Sequence, residues 1–277
     1  MPDIFGFDAF SPAEIAARVE TTGVAKARLG LVPMLMLGIL AGAFIGLGAL
    51  YHVIVRSDPA LGFAARQVLG GVVFASGLIL VVVAGAELFT GNNLLVMAWA
   101  DGRITAFELL RSWTIVLAGN FIGAVGLAVL VFLSRHPDMN HGLVAQEYLG
   151  IAAAKIGLPF WTAFFRGALC NALVCMAVWM ALAGRSVVDK AVAIVFPVSA
   201  FVAAGFEHSV ANMYLIPLAI LLQDWGEVQH AGVAIGWTGF MRNMAPVLLG
   251  NIAGGSMLVG LVYYIIYRKP PPANGNL

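Results

Sequence analysis

The sequence predicts an all-α membrane protein with six transmembrane helices in a 3+3 inverted repeat, the second and fifth spans being interrupted. Three observations carry that prediction: a composition too apolar for a water-soluble domain, six long apolar segments, and one polar motif that occurs twice in corresponding places. Of the 277 residues, 61% are hydrophobic and only 10% are charged, with a mean hydropathy of +0.93. A soluble domain carries roughly 25% charged side chains, so the bulk of this chain is built for lipid.

The first 30 residues contain no short apolar core followed by a cleavage site, so removal of a leader is not expected. Ser11-Pro12-Ala13-Glu14 reads as an N-cap, a proline at the first helical position and an acidic first turn. The helix it opens, over 12–27, sets Ile15, Val19 and Val24 on one side and forms the core of an interfacial cytoplasmic segment, 1–30.

Apolar segments follow near 31–54, 67–89, 110–133, 158–182, 190–206 and 243–267. Most reach the roughly 20 residues that a crossing helix needs. The fifth is short, because it turns polar at GFEHSVANM before resuming as YLIPLAILL. The stretch 134–157 reads as a connecting loop and 268–277 as a tail. Lys and Arg favour the side of the termini, where Arg18, Lys26, Arg28, Arg103, Arg111, Arg185, Lys190, Arg268 and Lys269 fall, and the opposite side holds Arg56, Arg66, Arg135, Lys155 and Arg242. That asymmetry predicts both termini in the cytoplasm.

The second segment ends in GAELFTGNN and the fifth contains GFEHSVAN, so Gly85, Glu87 and Asn92 match Gly205, Glu207 and Asn212, each pair 120 positions apart. A second pair, Gly119-Asn120-Phe121-Ile122-Gly123 and Gly250-Asn251-Ile252-Ala253-Gly254, supplies small residues and one amide suited to close helix contact. Together they divide the chain into repeats 31–133 and 158–267. Three spans per repeat is an odd number, so the second repeat enters from the opposite face and the interruptions meet near the midplane.

Irregular backbone at membrane depth is tolerated only where protein encloses it or it lines a wet cavity. Gly85 and Gly91 relax the chain there, and Thr90, Asn92 and Asn93 satisfy freed backbone groups. Exposed N–H groups would attract an anion and exposed carbonyls a cation, so the break indicates a solute path without fixing the sign of the solute. Glu87 and Glu207 are read as structural acceptors of backbone donors, since carboxylates lining an anion path would repel it. His208 sits among Glu207, Ser209 and Asn212, where it either lowers the barrier to an anion or hands it a proton. Lys155 has two readings, an interfacial side chain snorkelling to water or a vestibule charge that concentrates an anion. Phe74, Leu78, Phe89 and Phe201 are either helix packing or narrow apolar barriers. Arg166 falls inside the fourth span with no partner legible in the sequence.

Cys170 and Cys175 lie five apart on different helix faces and read as packing residues. His136 and His141 sit in the connecting loop without a metal-binding spacing. No nucleotide loop, nucleophile-base pair or metal-ligand set has a persuasive spacing, and no basic cluster suggests nucleic acid. An enzyme is therefore not expected, nor a cofactor or metal.

GAELFTGNN, GALCNALVCMAVWMA, SAFVAAGFEHSVANM and APVLLGNIAGG together resemble the formate/nitrite transporter family, and the resemblance covers nearly the whole chain. It implies an aquaporin-like protomer in membrane lipid, assembled as a symmetric homopentamer with a passage in each copy, in a bacterial inner membrane. It implies that Thr90 hydrogen-bonds near a central His208, that Leu78 and Phe201 form apolar constrictions with Phe74, Leu88 and Phe89 nearby, and that Lys155 charges a vestibule. Asn171 and Asn243 match polar positions along the passage, and Glu207 matches the carboxylate beside the histidine. The implied substrates are small monovalent anions, formate first, with nitrite and hydrosulfide as alternatives. A neutral-solute channel of aquaporin type is the rival; it explains the inverted repeat but gives no use to His208 and Lys155 together.

Overall fold

A computed structural model describes residues 9–226 and 234–269. The predicted tail, 268–277, lies almost entirely outside the described residues, as does the start of the 1–30 segment. Every described element is helical. Helix α1, Pro12–Ala27, matches its prediction and carries the full capping box, with Glu14 N–H donating to Ser11 Oγ and Ser11 N–H donating to Glu14 Oε2 at 2.7 Å. Thr105 with Glu108 and Ser186 with Asp189 repeat the device at α5 and α8, Ala106–Leu133 and Val187–Ala203. Backbone and hydroxyl donors of Ser11 hold the Glu14 carboxyl below the usual carboxylate range.

Helix α2, Leu31–Arg56, and α3, Phe63–Ala84, precede a 3-10 turn, Gly91–Leu95, that flows into the short α4, Val96–Ala100. After α5 come α6, Leu143–Ile156, and α7, Phe160–Ala183. Then α8 ends at the second break, and α9, Ser209–Trp225, leads towards α10, Trp237–Ile252. The last span winds as a π-helix over Ala253–Leu261 and closes as α11, Val262–Tyr267. Among the described residues, five helical stretches are long and apolar enough to cross a membrane alone: α2, α3, α5, α7 and Trp237–Tyr267. Helices α8 and α9, at 17 residues each, are not among them. The architecture is all-α and multi-spanning.

Two sequence expectations need correction. The predicted second span, 67–89, stops at Ala84 because Gly85 takes a left-handed φ of +82°, and the fifth, 190–206, stops at Ala203 with Gly205 at +70°. Only glycine enters that region without strain, so the breaks are written in the backbone chemistry. The 134–157 connection is no simple loop, since it contains α6. Buried Tyr148, Leu149 and Ala152 make α6 part of the core, and the Tyr148 and Tyr214 hydroxyls pair at 2.7 Å between α6 and α9.

The glycine patches act as the sequence suggests. A Cβ on Gly123 would run into the backbone of Ile39 in α2, and one on Gly254 into the backbone of Ala168 in α7. These contacts bring α2 against α5 and α7 against the last span with no side chain between them. Helix α1 packs against α4 and α11 at one end of the bundle, where buried Glu20 accepts from Arg268 Nε at 2.8 Å. Helix α6 packs at the other end, against the 3-10 turn His136–Asp138 and the start of α10.

Candidate functional site

Each break is held by an asparagine from a neighbouring span. Asn120 on α5 accepts from Phe89 N–H at 2.9 Å and donates to the carbonyls of Gly38 and Glu87 at 2.8 and 2.9 Å. Asn251 on α10 accepts from Ser209 N–H at 3.0 Å and donates to Gly167 O and Glu207 O at 2.9 and 3.0 Å. Glu87 N–H donates to Leu37 O, and Glu207 N–H to Arg166 O. Every fully buried polar group needs a partner, and these two amides supply most of those that the breaks remove.

That arrangement corrects the reading of Glu87 and Glu207 as acceptors of backbone donors. Among the described residues no backbone N–H donates to either carboxylate, and both bind side chains instead. Glu87 accepts from Asn92 Nδ2 at 2.7 Å and pairs with Lys26 Nζ at 3.1 Å. Glu207 accepts from Asn212 Nδ2 at 2.7 Å and pairs with Lys155 Nζ at 2.9 Å. Lys155 lines its cavity, as one of its two readings required, but its charge is compensated by a carboxylate. Lys26, counted in the sequence only as part of a charge bias, is its counterpart and went unrecognised as a site residue.

A buried carboxylate deprived of its cation is costly. Lys26→Met is expected to lower stability by roughly 1–3 kcal/mol, less than a fully buried pair because the ammonium reaches water. The thermal midpoint of the purified protein measures this, and adding Glu87→Gln should restore most of the loss; a midpoint at the parental value would show that Glu87 does not depend on Lys26.

Asn243 and Asn171 sit among these groups without opening onto a cavity. Asn243 donates to Lys155 O at 2.9 Å and accepts from Asn212 at 2.8 Å. Asn171 is fully buried and donates to Asn93 Oδ1 and Asn251 O at 2.7 and 2.6 Å. Both are tied into the polar frame by these bonds. Cys170 and Cys175 are free and buried, in keeping with packing.

Where the two breaks meet, Thr90 Oγ1 and His208 Nε2 lie 3.1 Å apart, both side chains buried. His208 is also the N-cap of α9, its Nδ1 accepting from Ala211 N–H at 3.1 Å. A nitrogen that accepts carries no proton, so the neutral ring holds its proton on Nε2, directed at Thr90. Phe201 stacks on the imidazole at 5.8 Å between centroids, and Phe74 meets Phe201 edge-on at the same separation.

Two cavities approach this pair. The one beside α6, of about 390 Å³, is lined by His208, Phe74, Phe201, Lys155 and Glu207. The other, beside α1 and of about 260 Å³, is lined by Lys26, Glu87, Asn92, Leu78 and Leu88. They share no lining residue. Phe74 and Phe201 face one cavity and Leu78 and Leu88 the other, so an apolar partition closes around one hydroxyl and one imidazole. Phe89 faces neither cavity and packs edge-on against Trp113, whose indole N–H donates to Asn92 O at 2.9 Å. Among the described residues no cluster of His, Cys, Asp and Glu is disposed to hold a metal ion.

The family model described as formate/nitrite transporter matches residues 13–265. The chain is 39% identical over 274 residues to the formate channel FocA of Escherichia coli strain K12, covering 95% of this chain and 96% of that one. It is 38% identical over 277 residues to a probable formate transporter of Methanothermobacter thermautotrophicus, covering 94% and 97%. Among solved structures it is similar to a pentameric formate channel with formate bound, at a TM-score of 0.79 and 35% identity over 86% of this chain and 98% of that one. It is also similar to an FNT family ion channel, at a TM-score of 0.80 and 30% identity over 91% and 98%.

Proposed function

The chain belongs to the formate/nitrite transporter family, and from that premise we propose that it passes small monovalent anions across the membrane, formate foremost. It is a transport protein, not an enzyme. The observation that carries the reading is the single polar pair, Thr90 and His208, set in an apolar partition between two water-accessible cavities. A bare anion entering that partition loses its hydration and gains only one or two donors, which makes the crossing costly. The passage therefore needs a donor at its narrowest point, and the Nε2–H of His208 is the group placed to serve.

A neutral imidazole that gave up its only proton would become an anion beside an anion, so donation must begin from the imidazolium. In this proposal a proton from the α6 cavity adds to Nδ1 and displaces the Ala211 N–H bond. The Nε2 proton then passes to the anion, and the neutral acid crosses Leu78 and Leu88. It ionises in the far cavity, and the ring returns to its resting tautomer when Nδ1 releases its proton to water of the α6 cavity and Nε2 takes up one in exchange, which restores the cap. Thr90 orients the ring, Phe74 and Phe201 keep water from bypassing it, and Glu87 and Glu207 hold the vestibule lysines in place. Asn92, Asn212, Asn171 and Asn243 brace that frame.

The matching bonds of Asn120 and Asn251, and of Glu87 and Glu207, support the 3+3 inverted repeat. Helices α1 and α6 extend it, because Lys26 and Lys155 then stand in corresponding places. The likeness to a pentameric formate channel supports a homopentamer. The likeness to a formate channel of Escherichia coli supports placement in a bacterial inner membrane, and the Lys and Arg bias supports both termini being cytoplasmic.

Flux into proteoliposomes tests the reading, with formate, nitrite, hydrosulfide, acetate, chloride and glycerol compared across a pH series. Formate is expected to outpace acetate, chloride and glycerol, with flux rising as the pH falls. Glycerol flux without formate flux would instead make the protein a neutral-solute channel.

A further inference from the structure

The two cavities are alike in frame and unlike in charge. Beside α1 the charged lining is Lys26 and Glu87, which pair at 3.1 Å and cancel. Beside α6 the lining holds three cations and two carboxylates. Arg56 pairs with Glu147 at 2.6 Å and Lys155 with Glu207 at 2.9 Å. Arg166 remains, lining the same cavity with no ion pair or side-chain hydrogen bond among the described residues.

Its position makes that surplus informative. Arg166 is the seventh residue of α7, about 9 Å along the helix at 1.5 Å per residue, inside a span long and apolar enough to cross the membrane. A guanidinium at such depth persists where it faces water or an opposite charge. Arg166 is exposed and is among the residues that line the α6 cavity. Its backbone carbonyl receives the Glu207 N–H, as that of Leu37 receives the Glu87 N–H. The two positions therefore correspond through the breaks, and what separates them is one side chain, leucine on the α1 side and arginine on the α6 side.

We propose that Arg166 is the capture site of the α6 cavity for a monovalent anion carrying two oxygens on one atom, such as a carboxylate or nitrite, and that it makes entry from this side tighter than entry from the α1 side. A guanidinium presents paired N–H groups that match such an anion in two parallel bonds, a match that a spherical ion lacks. The positive cavity also raises the local anion concentration, an effect that salt screens. This rests on the anion-transport reading above.

The test uses the full-length protein in proteoliposomes of defined orientation, with Arg166→Gln and Arg166→Lys beside the parent. With formate presented on the α6 side, Arg166→Gln is expected to raise the half-saturating concentration about tenfold, the loss of one charge-assisted bidentate contact, while the maximal rate changes little. With formate presented on the α1 side the half-saturating concentration for uptake should stay at the parental value. Arg166→Lys should restore the salt dependence but not the preference for formate over chloride as a competitor. Equal shifts from both sides, or none, would overturn the proposal. So would a changed oligomer on gel filtration with unchanged saturation, which would make Arg166 a contact between copies. If the parent itself moves no formate, the transport reading fails separately. Titration of formate into the solubilised protein then decides for the site: binding that Arg166→Gln abolishes supports it, and binding that is absent or unaltered overturns it.

Discussion

Replacing Asn251 with leucine is expected to destabilise the protein by about 3–9 kcal/mol, since three buried backbone groups lose their partner at roughly 1–3 kcal/mol each. The amide accepts from Ser209 N–H and donates to Gly167 O and Glu207 O. No water at that depth replaces it, because Asn251 and Ser209 are fully buried. Asn251→Asp, neutral at this buried position, separates the functions of the side chain: it keeps an acceptor for Ser209 N–H and one O–H donor in place of the two of the amide. Its midpoint should fall between those of the parent and the leucine variant. Thermal unfolding of the detergent-solubilised protein measures the series. An Asn251→Leu protein that melts with the parent would mean that the break satisfies its own backbone.

The second large effect falls on transport. His208→Phe is expected to reduce formate flux on the order of 10²-fold, the scale on which a placed proton donor acts, and to flatten its pH profile. Phenylalanine also removes the cap of α9, which accepts from Ala211 N–H at 3.1 Å. His208→Asn isolates the ring chemistry, because asparagine is a good N-cap and does not titrate near neutral pH. The asparagine variant should fold as the parent does and show the same loss of flux and of pH dependence. Parental flux with a parental pH profile in His208→Asn would assign the histidine to capping alone.

Much of this site was legible because polar residues within an apolar run stand out. Gly85, Glu87 and Asn92, and their partners 120 positions on, announced two breaks, and the left-handed glycines and the Asn92–Glu87 and Asn212–Glu207 bonds explain why those residue types stand there. Lys26 was hidden for the opposite reason. It lies on a surface-type helix where a lysine is ordinary, and only the packing of α1 against the 3-10 turn Gly91–Leu95 brings it to Glu87. Helix α6 was missed because its 14 residues are too few to span a membrane and its core face becomes visible only against α9. Asn120 and Asn251 were seen as amides in small-residue patches, but their threefold bonding depends on a chain segment more than 30 residues away. Asn171 and Asn243 were placed along the passage by resemblance, and their bonds to Asn93, Asn251, Asn212 and Lys155 could not be read from the sequence because each partner lies far along the chain.

The glycine crossings also bear on how the passage opens. Where the backbones of α2 and α5, and of α7 and the last span, touch with no side chain between them, the helices have no soft layer over which to slide. A crossing wedged in this way favours a frame that keeps its shape while Phe74, Phe201, Leu78 and Leu88 change rotamer around the imidazole. Rotamer hops of that kind belong to the picosecond-to-nanosecond range for free side chains and slow with packing, while domain rocking takes microseconds to milliseconds. Conduction would then be set by brief, frequent side-chain openings, with no concerted rearrangement of the helical frame.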